Sequence, residues 1–173
     1  MARFLYTLLY YCLSPFLFIR LLVKHRKSHA YKEQRQSLRL LERLGIFSKP
    51  PPGNNPVWLH TVSVGEFIAA LPLIRKIRAD YPHYPLLITC TTTTGSAQII
   101  KTFAQEIQQK KIIHVYLPYD LPGAMQRFLQ TIQPRLGIIM ETEIWPNLLH
   151  TASKLMIPMC LLNARLSARS VQG

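Results

Sequence analysis

Acidic residues are scarce in this chain. Only 8 Asp and Glu stand against 21 Lys and Arg in 173 residues, a formal charge of +13, and none occurs before Glu33. An imbalance of that size draws a protein toward polyanions: nucleic acid, anionic lipid head groups or phosphorylated substrates. Composition does not choose among the three. Cysteines are few as well. Cys12, Cys90 and Cys160 are odd in number, far apart and without CxxC spacing, which argues against a disulfide framework or a zinc site and fits a reducing, cytoplasmic setting. Each is expected to be a small buried hydrophobe. Neither GxGxxG nor a P-loop pattern occurs, which argues against a dinucleotide or P-loop nucleotide site. Repeats and low-complexity tracts are absent too, and 49% hydrophobic against 17% charged residues gives the chain the means to fold.

What is present begins with an uncharged run, FLYTLLYYCLSPFLFI from Phe4 to Ile19, resuming after Arg20 as LLV before KHRK at 24–27. About 20 such residues approach the length that crosses the hydrocarbon core, although Pro15 and Arg20 interrupt them. The basic cluster follows the run and no small-residue cleavage site is seen, so an uncleaved anchor is expected rather than a signal peptide. Positive charge on that flank places it on the cytoplasmic side if the segment spans. A helix lying in the interface gives the same sidedness. The basic stretch over 20–43 adds attraction to an anionic membrane surface. Residues 1–28 therefore read as an anchor helix with a basic flank. Residues 29–56 read as an amphipathic helix over 29–44 followed by the Pro/Gly/Asn linker FSKPPPGNNP at 47–56.

From residue 57 to 173, short apolar runs alternate with helical patterns, the signature of a parallel sheet with crossover helices. Strands are expected at 57–62, 85–90, 112–117, 136–141 and 158–163, with helices at about 66–80, 95–108, 121–132 and 146–156. The fold class is α/β, a Rossmann-like doubly wound parallel sheet. Each strand empties into a polar segment: SVGE, TTTTGS, PYDLP, ETEIWPN and NARLS. With the usual order 3-2-1-4-5, ligands bind where the order reverses, between strands one and four. Those strands lead to Glu66 and to Glu141 with Glu143.

Each carboxylate has two readings. Glu66 completes a capping box with Ser63, and Glu141 or Thr142 caps the helix whose first turn holds Pro146. Alternatively, carboxylates converging on one edge serve as a general base and a second polar group at a reacting centre. The two roles are compatible for Glu66. TTTTGSA at 91–97 is a candidate phosphate or sugar cradle. Arg165, beside Asn163, is a candidate grip for a phosphate or carboxylate. His60 reads as a satisfied core histidine. His25 and His29 lie on a basic helix without a third metal ligand.

Taken together, HTVSVGE, TTTTGS, VYLPYDLPGAMQRFL, METEIWPN and NARLSARS closely resemble the amino-terminal half of the bacterial Kdo transferases. Those enzymes move 3-deoxy-D-manno-octulosonic acid (Kdo) from CMP-Kdo to the lipid A precursor in lipopolysaccharide biosynthesis. The resemblance covers nearly the whole chain, including the hydrophobic amino terminus. It implies the amino-terminal domain of a B-type glycosyltransferase, inverting, with no cofactor and no metal, attached to the cytoplasmic face of the inner membrane. By the same likeness Glu66 is the general base that deprotonates the acceptor hydroxyl, and Glu141 holds the transition-state stabilising position. Ser63, Gly65, Thr94, Gly95, Asn163 and Arg165 are expected on the acceptor side.

The family's carboxyl-terminal half, which binds most of the CMP-Kdo donor, lies beyond the matched motifs. A different class of reading is a non-catalytic, membrane-associated binder of anionic lipid. Nucleic acid is not an expected partner, because aromatic interleaving and a recognised motif are both missing. The 173 residues alone are expected not to catalyse transfer. A radiolabel assay showing Kdo incorporation by the isolated chain would overturn that expectation.

Overall fold

A computed structural model describes residues 2–27, 39–47, 55–141 and 143–164. The elements in chain order are α1 (Ala2–Lys27), α2 (Arg39–Glu42), β1 (Val57–His60), α3 (Val64–Asp80), β2 (Leu86–Cys90), α4 (Thr93–Thr102), α5 (Ala104–Gln108), β3 (Ile112–Tyr116), α6 (Pro122–Ile132), β4 (Leu136–Met140), α7 (Pro146–Lys154) and β5 (Met159–Leu162). The five strands form one sheet in the order β3-β2-β1-β4-β5. All pairs are parallel, and His60 lies opposite both Thr89 on β2 and Ile139 on β4. The expected order is therefore the observed one.

Strand alternation divides the core in two, because successive side chains point to opposite faces of a sheet. Leu59, Ile88, Ile112 and Ile138 meet Phe67, Ala70 and Ile74 of α3 and Ile99 of α4 on one face. Trp58, Leu87, Val115 and Ile139 meet Met125, Phe128 and Leu129 of α6 and Leu148 and Ala152 of α7 on the other. Trp58 is fully buried, and its ring stands edge-on to Phe128 at 5.2 Å. Burying a side chain of that kind contributes roughly 1.5–3 kcal/mol. Both faces are covered, as a parallel sheet requires.

The structure corrects several expectations. The helix expected over 95–108 is two helices, because the chain turns at Phe103 (φ −118°, ψ 31°). That turn drives the Phe103 ring into the core, edge-on to Phe67 at 5.9 Å. Only Cys90 of the three cysteines is buried: Cys12 sits exposed on α1 and Cys160 is half-buried, all three being free thiols. Most of the amphipathic helix expected over 29–44 and most of the 47–56 linker lie outside the described residues. Among the described residues, no helix is long and apolar enough to cross a membrane. Arg3, Thr7, Ser14 and Arg20 punctuate α1, so the expected apolar anchor is instead a helix of mixed character. Phe4, Leu8, Phe16 and Ile19 point outward from it.

Residues 39–47 strap the carboxyl end of β3 to α6. Tyr119 N–H donates to the Arg43 carbonyl at 2.9 Å, and Arg127 Nη2 donates to the Leu44 carbonyl at 2.6 Å. Gly45 makes the strap possible: its φ is +71°, and a Cβ there would collide with the backbone carbonyl of Ala124. Gly45→Ala is expected to destabilise the chain by about 2 kcal/mol, read as a lowered urea midpoint with an unchanged slope.

Candidate functional site

The carboxyl edge of the sheet collects the polar segments. After β1, Ser63 takes the N-cap position of α3 with extended backbone (φ −120°, ψ 171°). Its hydroxyl oxygen accepts from Glu66 N–H at 3.3 Å and donates to Glu66 Oε1 at 3.0 Å. Glu66 Oε2 accepts from Val62 N–H at 2.7 Å. The capping box expected from Ser63 and Glu66 is thus present, displaced by one residue because the carboxylate reaches past the cap to Val62. Glu66 is 8% exposed. Two hydrogen bonds leave further lone pairs on an ionised carboxylate, so capping does not exhaust its ability to accept a proton.

The β2–α4 loop is tied to the same place. Thr91 and Thr92 both donate their hydroxyls to the Val62 carbonyl, at 3.3 and 3.2 Å. Thr92 caps α4 by accepting from Gly95 N–H at 3.1 Å. A Cβ on Gly95 would sit 2.8 Å from that capping oxygen, so the cap requires the glycine. Thr94 is exposed and Gly95 buried. Arg43, itself 5% exposed, donates to the Thr91 carbonyl at 2.8 Å and stacks on Tyr116 at 4.1 Å. Sequence reasoning missed Arg43, because nothing in a basic helical stretch marks which arginine folds inward.

β1 and β4 are neighbours, so the loop bearing Glu66 and the segment bearing Glu141 emerge side by side from the same edge. Glu141 is half-buried with a left-handed backbone (φ 61°), and its N–H donates to the Leu162 carbonyl at 2.8 Å. A non-glycine residue held there is a strained one. Glu143 Oε2 accepts from Trp145 Nε1 at 3.0 Å. Asn163 is exposed after β5, also left-handed (φ 57°). Thr142 and Arg165 lie outside the described residues. The sheet thus gathers Ser63, Gly65, Glu66, Thr94, Gly95, Glu141 and Asn163 at one edge.

Among the described residues Glu141 makes no capping bond to α7, and the cap expected from Thr142 lies outside them. Trp145 is the N-cap of α7 and supplies no side-chain bond. Asp120, from the loop after β3, does so across space: its Oδ2 accepts from Asn147 N–H at 3.0 Å and its Oδ1 from Leu148 N–H at 2.8 Å. The sequence held a signal for this. A helix that starts Trp-Pro has no local acceptor for its first amides, so a remote one is needed.

His60 is fully buried at the end of β1. Its Nδ1 pairs with Thr89 Oγ1 at 2.8 Å, and Thr89 Oγ1 also accepts from Trp58 Nε1 at 2.9 Å. Among the described residues Nε2 has no partner, nor has the neighbouring Thr61 Oγ1, so the satisfied histidine expected here is satisfied on one side only. The His60 ring meets Trp145 edge-on at 6.0 Å. Among the described residues, no cluster of His, Cys, Asp or Glu has the make-up to hold a metal ion. Two surface depressions, of about 360 and 510 Å³, lie at the opposite edge of the sheet, beside Gln133 and Ile157 and beside Arg78 and Lys111.

Comparison with known proteins places the chain in a family. Residues 38–173 match the family described as 3-Deoxy-D-manno-octulosonic-acid transferase (kdotransferase). The chain is 42% identical over 173 residues to the 3-deoxy-D-manno-octulosonic acid transferase of Haemophilus influenzae, covering 98% of this chain and 38% of that protein. It is 38% identical to the Bordetella pertussis protein of the same name, covering 99% and 39%. It is also 38% identical to a probable mitochondrial one of Arabidopsis thaliana, covering 96% and 35%. The protein belongs to the 3-deoxy-D-manno-octulosonic acid transferase family, and it spans less than two fifths of the length of these relatives.

Burial holds both His60 and His114 neutral, each pushed down to about 3. Desolvation disfavours the imidazolium, and Arg39 adds repulsion at His114. Both values are depressed, so between pH 6.5 and about 3 the unfolded chain binds more protons than the folded one, and stability falls as pH falls. Each histidine contributes a slope of about 1.4 kcal/mol per pH unit inside that window. Replacing His60 with Asn is expected to reduce the slope between pH 6 and 4 by that amount, measured by urea unfolding across pH.

Proposed function

We propose that this chain is the acceptor-side half of an inverting, metal-independent glycosyltransferase that moves Kdo from CMP-Kdo to a lipid A precursor in lipopolysaccharide biosynthesis. The single observation that carries the reading is the placement of β1 beside β4 in a chain of this family. That order sets the Ser63–Glu66 loop and the Glu141 segment next to each other where strand order reverses, the usual ligand position of such sheets.

In this reading Glu66 is the general base. The acceptor hydroxyl gives its proton to the carboxylate as its oxygen bonds to the anomeric carbon of Kdo, and the bond from that carbon to CMP breaks. The Ser63 and Val62 bonds fix the carboxylate's direction. Glu141 stabilises the transition state, and Ser63, Gly65, Thr94, Gly95, Asn163 and Arg165 contact the acceptor. The donor is held mainly by residues corresponding to the remainder of the longer relatives. The outward apolar residues of α1 and the +13 charge support attachment to an anionic membrane surface at the cytoplasmic face of the inner membrane.

The test joins this chain to the carboxyl-terminal remainder of the Haemophilus influenzae relative and compares Glu66 with Glu66→Gln. Loss of a general base lowers kcat by about 100-fold or more, with acceptor binding retained. Unchanged turnover removes Glu66 from the chemistry, and binding of lipid without any turnover in the unsubstituted protein favours a non-catalytic lipid binder.

A further inference from the structure

The cluster around Asp120 joins two parts of the molecule that sequence separates by more than a hundred residues. Asp120 is fully buried. Both carboxylate oxygens are spent on the first free amides of α7, and its carbonyl accepts from Asn147 Nδ2 at 2.7 Å. That bond turns Asn147 Oδ1 toward α1, where it accepts from the Thr7 hydroxyl at 3.0 Å. The single Thr7 hydrogen is shared, since the hydroxyl also lies 2.8 Å from the Arg3 carbonyl. Burial raises the Tyr6 and Tyr10 phenols, and the nearby charge of Asp120 adds to both. The same residue therefore receives α1 on one side and the start of α7 on the other.

Energetics make the link two-way. Burial raises the Asp120 pKa, and the amides of Asn147 and Leu148 together with the Tyr6 hydroxyl oppose that rise. A buried carboxylate depends on its donors, and losing one of them costs more than losing a neutral hydrogen bond. When α1 leaves, Asn147 loses its Thr7 partner and Asp120 loses the neighbouring Tyr6 hydroxyl. The first turn of α7 is then held less firmly, and with it residues 143–145 and the strained Glu141 just before them. We propose that Asp120 is a positioning residue that couples the docking of α1 to the order of the β4–α7 segment carrying Glu141 and Glu143. The coupling rests on the proposed function only for its purpose: attachment of α1 to a lipid surface would reach the candidate site by this route.

Amide hydrogen exchange on the whole chain tests it. A Tyr6→Phe/Thr7→Val double variant alters α1 alone and touches neither α7 amide. It is expected to speed exchange at Asn147 and Leu148 by roughly three- to tenfold, leaving Leu59 in the central strand unchanged. Asp120→Asn is expected to speed exchange in both α7 and α1. If α1 loosens in the double variant while Asn147 and Leu148 exchange as before, or if α1 is unaffected by Asp120→Asn, the coupling is overturned. Vesicles of phosphatidylcholine and phosphatidylglycerol supply a readout that a purely structural role would not move. They should slow exchange at Asn147 and Leu148 in the unsubstituted chain and not in the double variant, and equal slowing in both overturns the coupling. Absence of vesicle binding counts against the membrane reading, while the vesicle-free comparison still decides the coupling.

Discussion

The short central strand constrains everything else. β1 has four residues, all buried, and it is hydrogen-bonded on both edges, to β2 on one side and to β4 on the other. Its register admits no slip, because a shift of one residue would exchange Trp58 and His60 with Leu59 across the sheet and unmake both halves of the core. With β1 pinned, the exits of β1, β2 and β4 are pinned as well. The threonines of the β2–α4 loop can then reach the Val62 carbonyl while the Val62 amide is given to Glu66. One residue, through the two peptide groups that flank it, thus joins two loops and a buried acid.

Most of this architecture was legible in the sequence. Apolar runs such as PLLITC and LGIIME, separated by helix-length stretches, point to a parallel α/β sheet, and the strand order expected was the usual one of such sheets, which the structure has. The Ser63–Glu66 spacing announced the cap. What was hidden depends on contacts between distant residues. Phe103 breaks a helix because a pocket beside Phe67 receives its ring, and no local propensity records that pocket. Asp120 caps a helix 26 residues further on because α6, which follows Asp120, packs beside α7 on one face of the sheet, and a capping rule that looks only at adjacent residues does not see it. His60 looked like an ordinary strand histidine. The pairing of Thr89 with both Trp58 and His60 settles which nitrogen is satisfied, and that pairing is a matter of register.

The amino-terminal segments show a different kind of failure. A hydropathy scan sees FLYTLLYYCLSPFLFI as one run, yet Tyr6, Thr7 and Tyr10 recur at helical spacing and face the protein, while Phe4, Leu8 and Phe16 face outward. Tyrosine and threonine count as nearly apolar in such a scan. In the folded chain they carry the polar side of the helix, and what they meet is the buried pair Asp120 and Asn147.

The beginning of α7 has an electrostatic consequence. Pro146 has no N–H, the next two amides are committed to Asp120, and Leu149 N–H goes to the Trp145 carbonyl. The positive pole of this helix is thus already matched by a fixed negative charge and has no donor left for a visitor. At the starts of α3 and α4 the caps take the third amide in each case, and the amides of Val64, Gly65, Thr93 and Thr94 make no such bond among the described residues. The uncommitted helix-start amides of this edge therefore lie on the side of β1 and β2, with the Glu66 carboxylate already standing at the start of α3.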